Sequence, residues 1–184
     1  HDGEITKGRV TLDDKPLNRA TPERIVRQGV LLGPHTWFGL GGPAEYFAEP
    51  GTVEELAALV RRCRDEGVTV RVLGGGSNLL VRDEGVSGMV LRLSATAFND
   101  IRVKDHKLIA GGGARLGHIV STAVREGLAG LEPLVGIPGT VGGALRGNAG
   151  SHGGDVGQWV VRATTMSRTG ELVERSAGEL VFSY

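Results

Sequence analysis

Residues 68–81 read VTVRVLGGGSNLLV. Val68, Val70 and Val72 alternate with Thr69 and Arg71, the period-two pattern of a strand with one covered face. The strand runs straight into Gly74, Gly75 and Gly76, then Ser77, Asn78 and Leu79. Consecutive glycines let a chain take positive φ and keep side chains out of the way. Successive backbone amides can then converge on an anion, with Ser77 and Asn78 adding side-chain donors. Each hydrogen bond to a charged phosphate oxygen contributes roughly 1.5–3 kcal/mol, so several together anchor a diphosphate. No Gly-Lys-Ser/Thr follows, which excludes a P-loop. The glycine pairs 39/41, 74/76 and 111/113 meet Ala44, Leu79 and Leu116 where a dinucleotide fingerprint needs its third glycine.

The elements around this loop alternate. Upstream, Thr52 and Glu55 form a capping box. Val53, Leu56, Ala57, Val60 and Cys63 then keep helical spacing until Gly67 closes the helix. Tyr46 to Ala48 is strand-like. Thr21-Pro22-Glu23 predicts a helix start with Thr21 as N-cap, running to near Gly29. Residues 1 to 20 show no amphipathic period beyond a short strand over Arg9 to Leu12. Downstream, Met89 to Leu93 and Leu108 to Ala110 read as strands. Leu116, Ile119, Val120, Ala123 and Val124 mark a second amphipathic helix closed by Gly127. Trp159 to Met166 and Glu171 to Val173 read as a hairpin around Arg168-Thr169-Gly170, and Ser176 with Glu179 as another capping box. The class is α+β.

A second glycine-rich segment, GIPGTVGGALRGNAGSHGGDVG over Gly136 to Gly157, holds nine glycines and little apolar bulk. It reads as backbone lining a flat or extended ligand, not as a packed core element. Gly111 to Gly113, taken alone, reads as a structural turn.

The chain has 184 residues, 21 basic and 21 acidic side chains, and 31 glycines. The zero balance gives no bulk attraction to nucleic acid or an anionic membrane. No apolar run reaches the ~18 residues of a membrane span, and the polar N-terminus shows no signal peptide. A single cysteine, Cys63, excludes an internal disulfide and reads as a core residue in an intracellular protein. No metal is expected: His35, His106, His118 and His152 lack ligand spacing. Glu54-Glu55 and Asp83-Glu84 are sequence neighbours that do not face one another, so neither is an acid–base pair. Arg61, Arg62 and Arg64 read as a solvated helix face, and Trp37 and Trp159 as packing anchors. The start at His1 and the stop after an apolar pair suggest a piece of a longer protein.

Four ordered segments resemble the UDP-N-acetylenolpyruvoylglucosamine reductase family: HTWFGLGGPAEYF (35–47), LGGGSNLLVRDEG (73–85), GLAGLEPLVGIPGTVGGALRGNAGSHGG (127–154) and FSY (182–184). The resemblance implies the FAD-binding fold of the vanillyl-alcohol-oxidase (PCMH) type with two α+β subdomains. They are expected at 31–94 and 95–184, after an N-terminal arm or tail at 1–30 and without the substrate-binding domain. It implies that Gly74, Gly75, Gly76, Ser77, Asn78 and Leu79 hold the FAD diphosphate. It places Ile137, Pro138, Gly139, Thr140, Gly142 and Gly143 against the flavin, with Asn148 and Gly150 nearby.

The implied reaction carries hydride from NADPH through FAD to the enolpyruvyl group of a UDP-sugar, in the cytoplasm. The family's active-site arginine would follow Tyr184, and its proton-donating serine and late glutamate lie further on. No catalytic residue is therefore expected in this chain, which should bind FAD without turnover. Gly39 stands where many members carry arginine, and His152 where tyrosine is common. Two alternatives are another flavin oxidase or dehydrogenase of this fold, and a nucleotide-binding module without redox chemistry.

Overall fold

The computed structural model describes residues 11–12, 15–16, 25–151 and 153–182. β1 (Thr11–Leu12) and β2 (Lys15–Pro16) form a small antiparallel pair. β3 (Val26–Leu31), β4 (Pro43–Ala48), β5 (Val70–Leu73) and β6 (Val86–Arg92) make a sheet in the order β3-β4-β6-β5, with α1 (Val53–Asp65) between β4 and β5. β3 runs antiparallel to β4, while β4 and β5 both run parallel to β6. The central strand β6 is buried continuously from Gly88 to Leu91, as a strand covered on both faces must be. Met89 and Leu91 pack with Leu59 and Cys63 of α1, Val26, Tyr46 and Ala48. Val90, between them, packs with Leu32, Ala44, Phe47 and Leu73. Burial pushes the Cys63 thiol up to about 11, so it stays protonated as a core residue.

Local signals set the ends of α1. Thr52 Oγ1 accepts from the Glu55 amide at 3.2 Å, and the Glu55 carboxylate accepts from the Gly51 amide at 2.7 Å, one residue before the cap itself. At the other end Gly67 sits at φ +70, the Val68 amide donates to the Cys63 carbonyl and the Gly67 amide to that of Arg64. This is a Schellman closure.

Beyond the sheet, β7 (Ile101–Lys104) pairs with β8 (Lys107–Ala110), followed by α2 (Leu116–Arg125) and α3 (Val141–Arg146). β9 (Gly150–Ser151) pairs with β10 (Gly154–Asp155), and β11 (Arg162–Met166) with β12 (Leu172–Ser176). Ser176 and Glu179 form the expected capping box on the short 3₁₀ turn Ala177–Glu179. A third core gathers Leu116, Ile119, Leu134, Ala144 and Val156, with Ile137, Val141, Leu145 and Ala149 against it. No helix among the described residues is long and apolar enough to cross a membrane.

Four expectations need correction. The helix proposed from Thr21 to near Gly29 is not formed where it is described: residues 26–31 are β3, because pairing with β4 buries Val26 and overrides local propensity. Residues 21–24 lie outside the described residues. The segment 136–157 does hold a core element, α3, whose Ala144 is buried. Trp37 is 69% exposed and so is not a buried anchor; Trp159, 51% exposed, lays part of its ring against Gly130. Arg61 is not merely solvated, since its Nη1 donates to the Gly170 carbonyl at 3.3 Å.

His35 stacks on Phe47 with ring centroids 5.0 Å apart. Burial lowers its pKa from the ordinary 6.5, as do Arg92 and Arg27, against the opposing pull of Glu49. The unfolded chain then binds the proton more tightly than the folded one. Stability is expected to fall as pH drops through 6.5. Urea unfolding between about pH 7.5 and 5.5 should show this loss, and His35→Phe, which keeps a ring on Phe47, should flatten it. An unchanged slope in that variant would assign the effect elsewhere. Glu49 titrates in a lower window. Burial works to raise it, but the Ser94 hydroxyl, Arg92 and Arg27 prevail and hold it below its ordinary range.

Candidate functional site

Both glycine-rich segments meet. Ser77 Oγ donates to the Pro138 carbonyl at 3.3 Å. A Cβ on Gly75 would lie 3.0 Å from Gly139 Cα, and one on Gly74 would lie 2.7 Å from Thr140 Oγ1. The loops therefore run past each other in close contact, Gly75 backbone against Gly139 backbone and Gly74 against the Thr140 side chain. Only Gly76 of the three glycines has positive φ, +68, and a Cβ there would run into the His35 carbonyl oxygen. The Gly76 carbonyl accepts from the Trp37 amide at 3.0 Å.

Gly111 to Gly113 belongs to the same junction. The Gly142 amide donates to the Gly112 carbonyl at 2.8 Å, and Val141 to Ala114 at 2.9 Å. A Cβ on Gly142 would sit 2.9 Å from the Gly112 oxygen. Gly111 and Gly113 would collide with the Phe98 and Leu93 carbonyls if they carried a Cβ, so the structural reading of those two holds. What the turn reading missed is that Gly112 meets α3.

An accounting of amides then separates the segments. At the start of α3 the donors are consumed: Val141 and Gly142 as above, Gly143 by Thr140 Oγ1 at 3.3 Å, Ala144 by the Thr140 carbonyl. By contrast, none of the amides of residues 74–80 donates to an acceptor among the described residues; nor do those of Gly112, Gly139 and Thr140. A run of seven amides after a strand, unpaired among the described residues and opening with three residues that carry no side chain, fits the diphosphate of a dinucleotide cofactor. Arg115, whose backbone bridges to Thr140, and Arg146, which ends α3, have no carboxylate partner among the described residues.

The remaining candidates divide. Leu79 is exposed with Leu80, and across the junction Trp37, Phe38 and Leu40 are exposed too. The Trp37 amide on the Gly76 carbonyl brings the exposed 37–40 segment to the amide run, a neighbourhood that composition alone could not show. Ile137 turns into the third core. Asn148 is buried at φ +44, the left-handed residue that closes α3: the Ala149 amide donates to the Ala144 carbonyl, and Asn148 Oδ1 accepts from Gly157 at 3.1 Å. Its conformation and its oxygen thus have structural work independent of any ligand. Asn148 and Gly150 line, with Ser151, Gly153, Gly154 and Asp155, a shallow depression of about 250 Å³. Gly39, at φ +66, faces open space, while His152 and Tyr184 lie outside the described residues.

Comparison with known proteins gives the family. The FAD binding domain family matches residues 44–176. The UDP-N-acetylenolpyruvoylglucosamine reductase of Rhodopirellula baltica is 40% identical over 160 residues, covering 87% of this chain and 52% of that protein. The chain thus spans about half the length of the curated relatives it matches. The crystal structure of UDP-N-acetylenolpyruvylglucosamine reductase from Thermus caldophilus superposes with a TM-score of 0.73 at 39% identity, over 86% of this chain and 56% of that one. The 6-hydroxy-D-nicotine oxidase of Arthrobacter nicotinovorans gives 0.58 at 28% identity, over 74% of this chain and 31% of that one. The chain belongs to the FAD-binding domain family, in the form carried by the UDP-N-acetylenolpyruvoylglucosamine reductases.

Proposed function

We propose that this chain is the FAD-binding portion of a reductase that carries hydride from NADPH to the enolpyruvyl group of a UDP-sugar, in peptidoglycan precursor synthesis. The observation that carries the proposal is the run of acceptor-free amides at 74–80 opposite the backbone of 138–140. In this reading the amides of Gly74, Gly75, Gly76, Ser77, Asn78 and Leu79 hold the diphosphate. Pro138, Gly139, Thr140, Gly142 and Gly143 present backbone to the flavin ring, with Asn148 and Gly150 beyond. Ile137 contributes through its main chain. The exposed Trp37, Phe38 and Leu40 shield the gap from water. FAD, when bound, supplies the two-electron relay; the chain's own residues bind and orient it. Residues 31–94 and 95–184 act as two subdomains with the cofactor between them.

A visible spectrum of the purified, desalted chain tests this directly. The expected result is a two-band flavin spectrum, or binding of added FAD at one per chain. The chain alone is expected not to oxidise NADPH with the enolpyruvyl UDP-sugar, and a chain extended past residue 184 is expected to do so. A colourless protein that binds no added FAD, alone or extended, would sink the proposal. Oxygen consumption with a small alcohol or sugar, and no activity on the UDP-sugar, would point instead to an oxidase of the same fold.

A further inference from the structure

Residues 25–91 and residues 101–160 build separate apolar cores, and none of the described core residues belongs to both. Among the described residues, three features join these halves. One is the chain between them, where Asn99 Nδ2 donates to the Leu93 and Ala95 carbonyls. The second is the contact between the glycine loops, made largely of bare backbone. The third is the tip of the β11–β12 hairpin, which reaches across to α1.

That hairpin contributes no residue to any of the three cores. Its tip is nevertheless covered. Gly170 is buried at φ +75 between the exposed Thr169 and Glu171. Its carbonyl accepts from Arg61 Nη1 at 3.3 Å, and a Cβ on it would lie 2.8 Å from the Ala57 carbonyl oxygen and 2.9 Å from Arg61 Cγ. An element without a core of its own is thus seated, by a glycine, on the helix of the opposite half.

We propose that Arg61 and Gly170 are a positioning pair: a clasp that holds the hairpin of the second half on α1 of the first and so favours the arrangement of the two halves that binds FAD. The inference rests on the FAD reading above. The loop contact consists of Gly74 and Gly75 against Gly139 and Thr140 and one hydrogen bond from Ser77, with no residue of a shared apolar core, so a second contact between the halves adds to what holds their arrangement. A clasp that favours the binding-competent arrangement raises affinity at a distance, and by reciprocity bound FAD protects the clasp.

The test is FAD titration of the full chain, followed by flavin fluorescence. Arg61→Ala is expected to raise Kd about fivefold to tenfold, the loss of one hydrogen bond's worth of coupling. Arg61→Lys keeps a donor and should recover most of it. Gly170→Asn tolerates positive φ, so the turn survives, yet its Cβ meets the Ala57 carbonyl; it should weaken binding at least as much as Arg61→Ala. Arg162→Ala removes the exposed Arg162–Glu174 pair of the same hairpin and should leave Kd unchanged. Amide exchange over residues 167–171 should slow when FAD saturates the wild-type chain but not the Arg61→Ala variant, a response that a merely stabilising contact would not give. Wild-type Kd in both Arg61→Ala and Gly170→Asn overturns the proposal. A wild-type chain that binds no FAD overturns the functional reading itself.

Discussion

Gly75→Val is expected to weaken FAD binding by at least about a hundredfold, or ~2.7 kcal/mol, while costing the fold ~1 kcal/mol or less. Gly75 is exposed and its φ lies outside the left-handed region, so the turn does not need a glycine there. What needs it is the neighbouring loop: the new Cβ would lie 3.0 Å from Gly139 Cα and 3.5 Å from its carbonyl carbon. Those are backbone atoms and cannot swing aside as a long side chain can, and valine adds two methyls beyond the Cβ. Segment 137–140 must retreat, and the two halves of the gap part. Sequence reasoning reaches the same sign through a different contact, a Cβ blocking the phosphates. Gly76→Val makes the informative contrast. Its φ of +68 and the His35 carbonyl at its Cβ mean that folding and binding should fail together. FAD titration beside urea unfolding of the two variants checks this. A Gly75→Val protein that binds FAD normally, or that loses folding as fully as Gly76→Val, refutes the loop-contact account.

Phe47→Ala is expected to destabilise the chain by about 3–5 kcal/mol, the cost of emptying a large aromatic site. Phe47 is fully buried in the core shared with Leu32, Ala44, Leu73 and Val90. It also supports His35 by stacking, and the Arg27 guanidinium lies 4.9 Å from its ring centroid. Since a domain typically has 5–15 kcal/mol in total, the variant should sit near its unfolding threshold. The His35 carbonyl abuts Gly76, so the loop loses its backing as well, and residual FAD binding should weaken even where the protein remains folded. Equilibrium urea unfolding gives the first number and FAD titration below the midpoint the second. A loss under about 1 kcal/mol would mean that the site collapses around the missing ring.

Much of the architecture was legible because its causes are local. The Thr52 cap, the Gly67 and Gly127 closures and the spacing of Val53, Ala57, Val60 and Cys63 set α1 and α2 within a few residues, since capping and amphipathic period act over one or two turns. The failures share a different cause. Residues 26–31 became strand because β4 was available to pair with them. Residues 141–146 became a helix despite their glycines because Gly112 and Ala114 accept the first amides and the third core takes Ala144. Trp37 looked like an anchor by its size, yet its place on an exposed loop beside Gly76 is decided by partners distant in sequence.

For the candidate site the division is the same. Composition and local pattern were enough to read residues 73–81 as a glycine loop following a strand, but they misread residues 136–157, which carry α3 and bury Ala144. The sequence also carried the family motifs. The reason for these glycines lies in their neighbours in space. Gly75 clears Gly139, Gly142 clears Gly112 and Gly76 clears His35, while Asn148 closes α3. The physical reason is that a missing side chain records that something lies close, but not what. The neighbour is a segment distant along the chain in every case, and for Gly75 and Gly139 it lies in the other half of the protein, so that contact exists only once two separate cores bring their loops together.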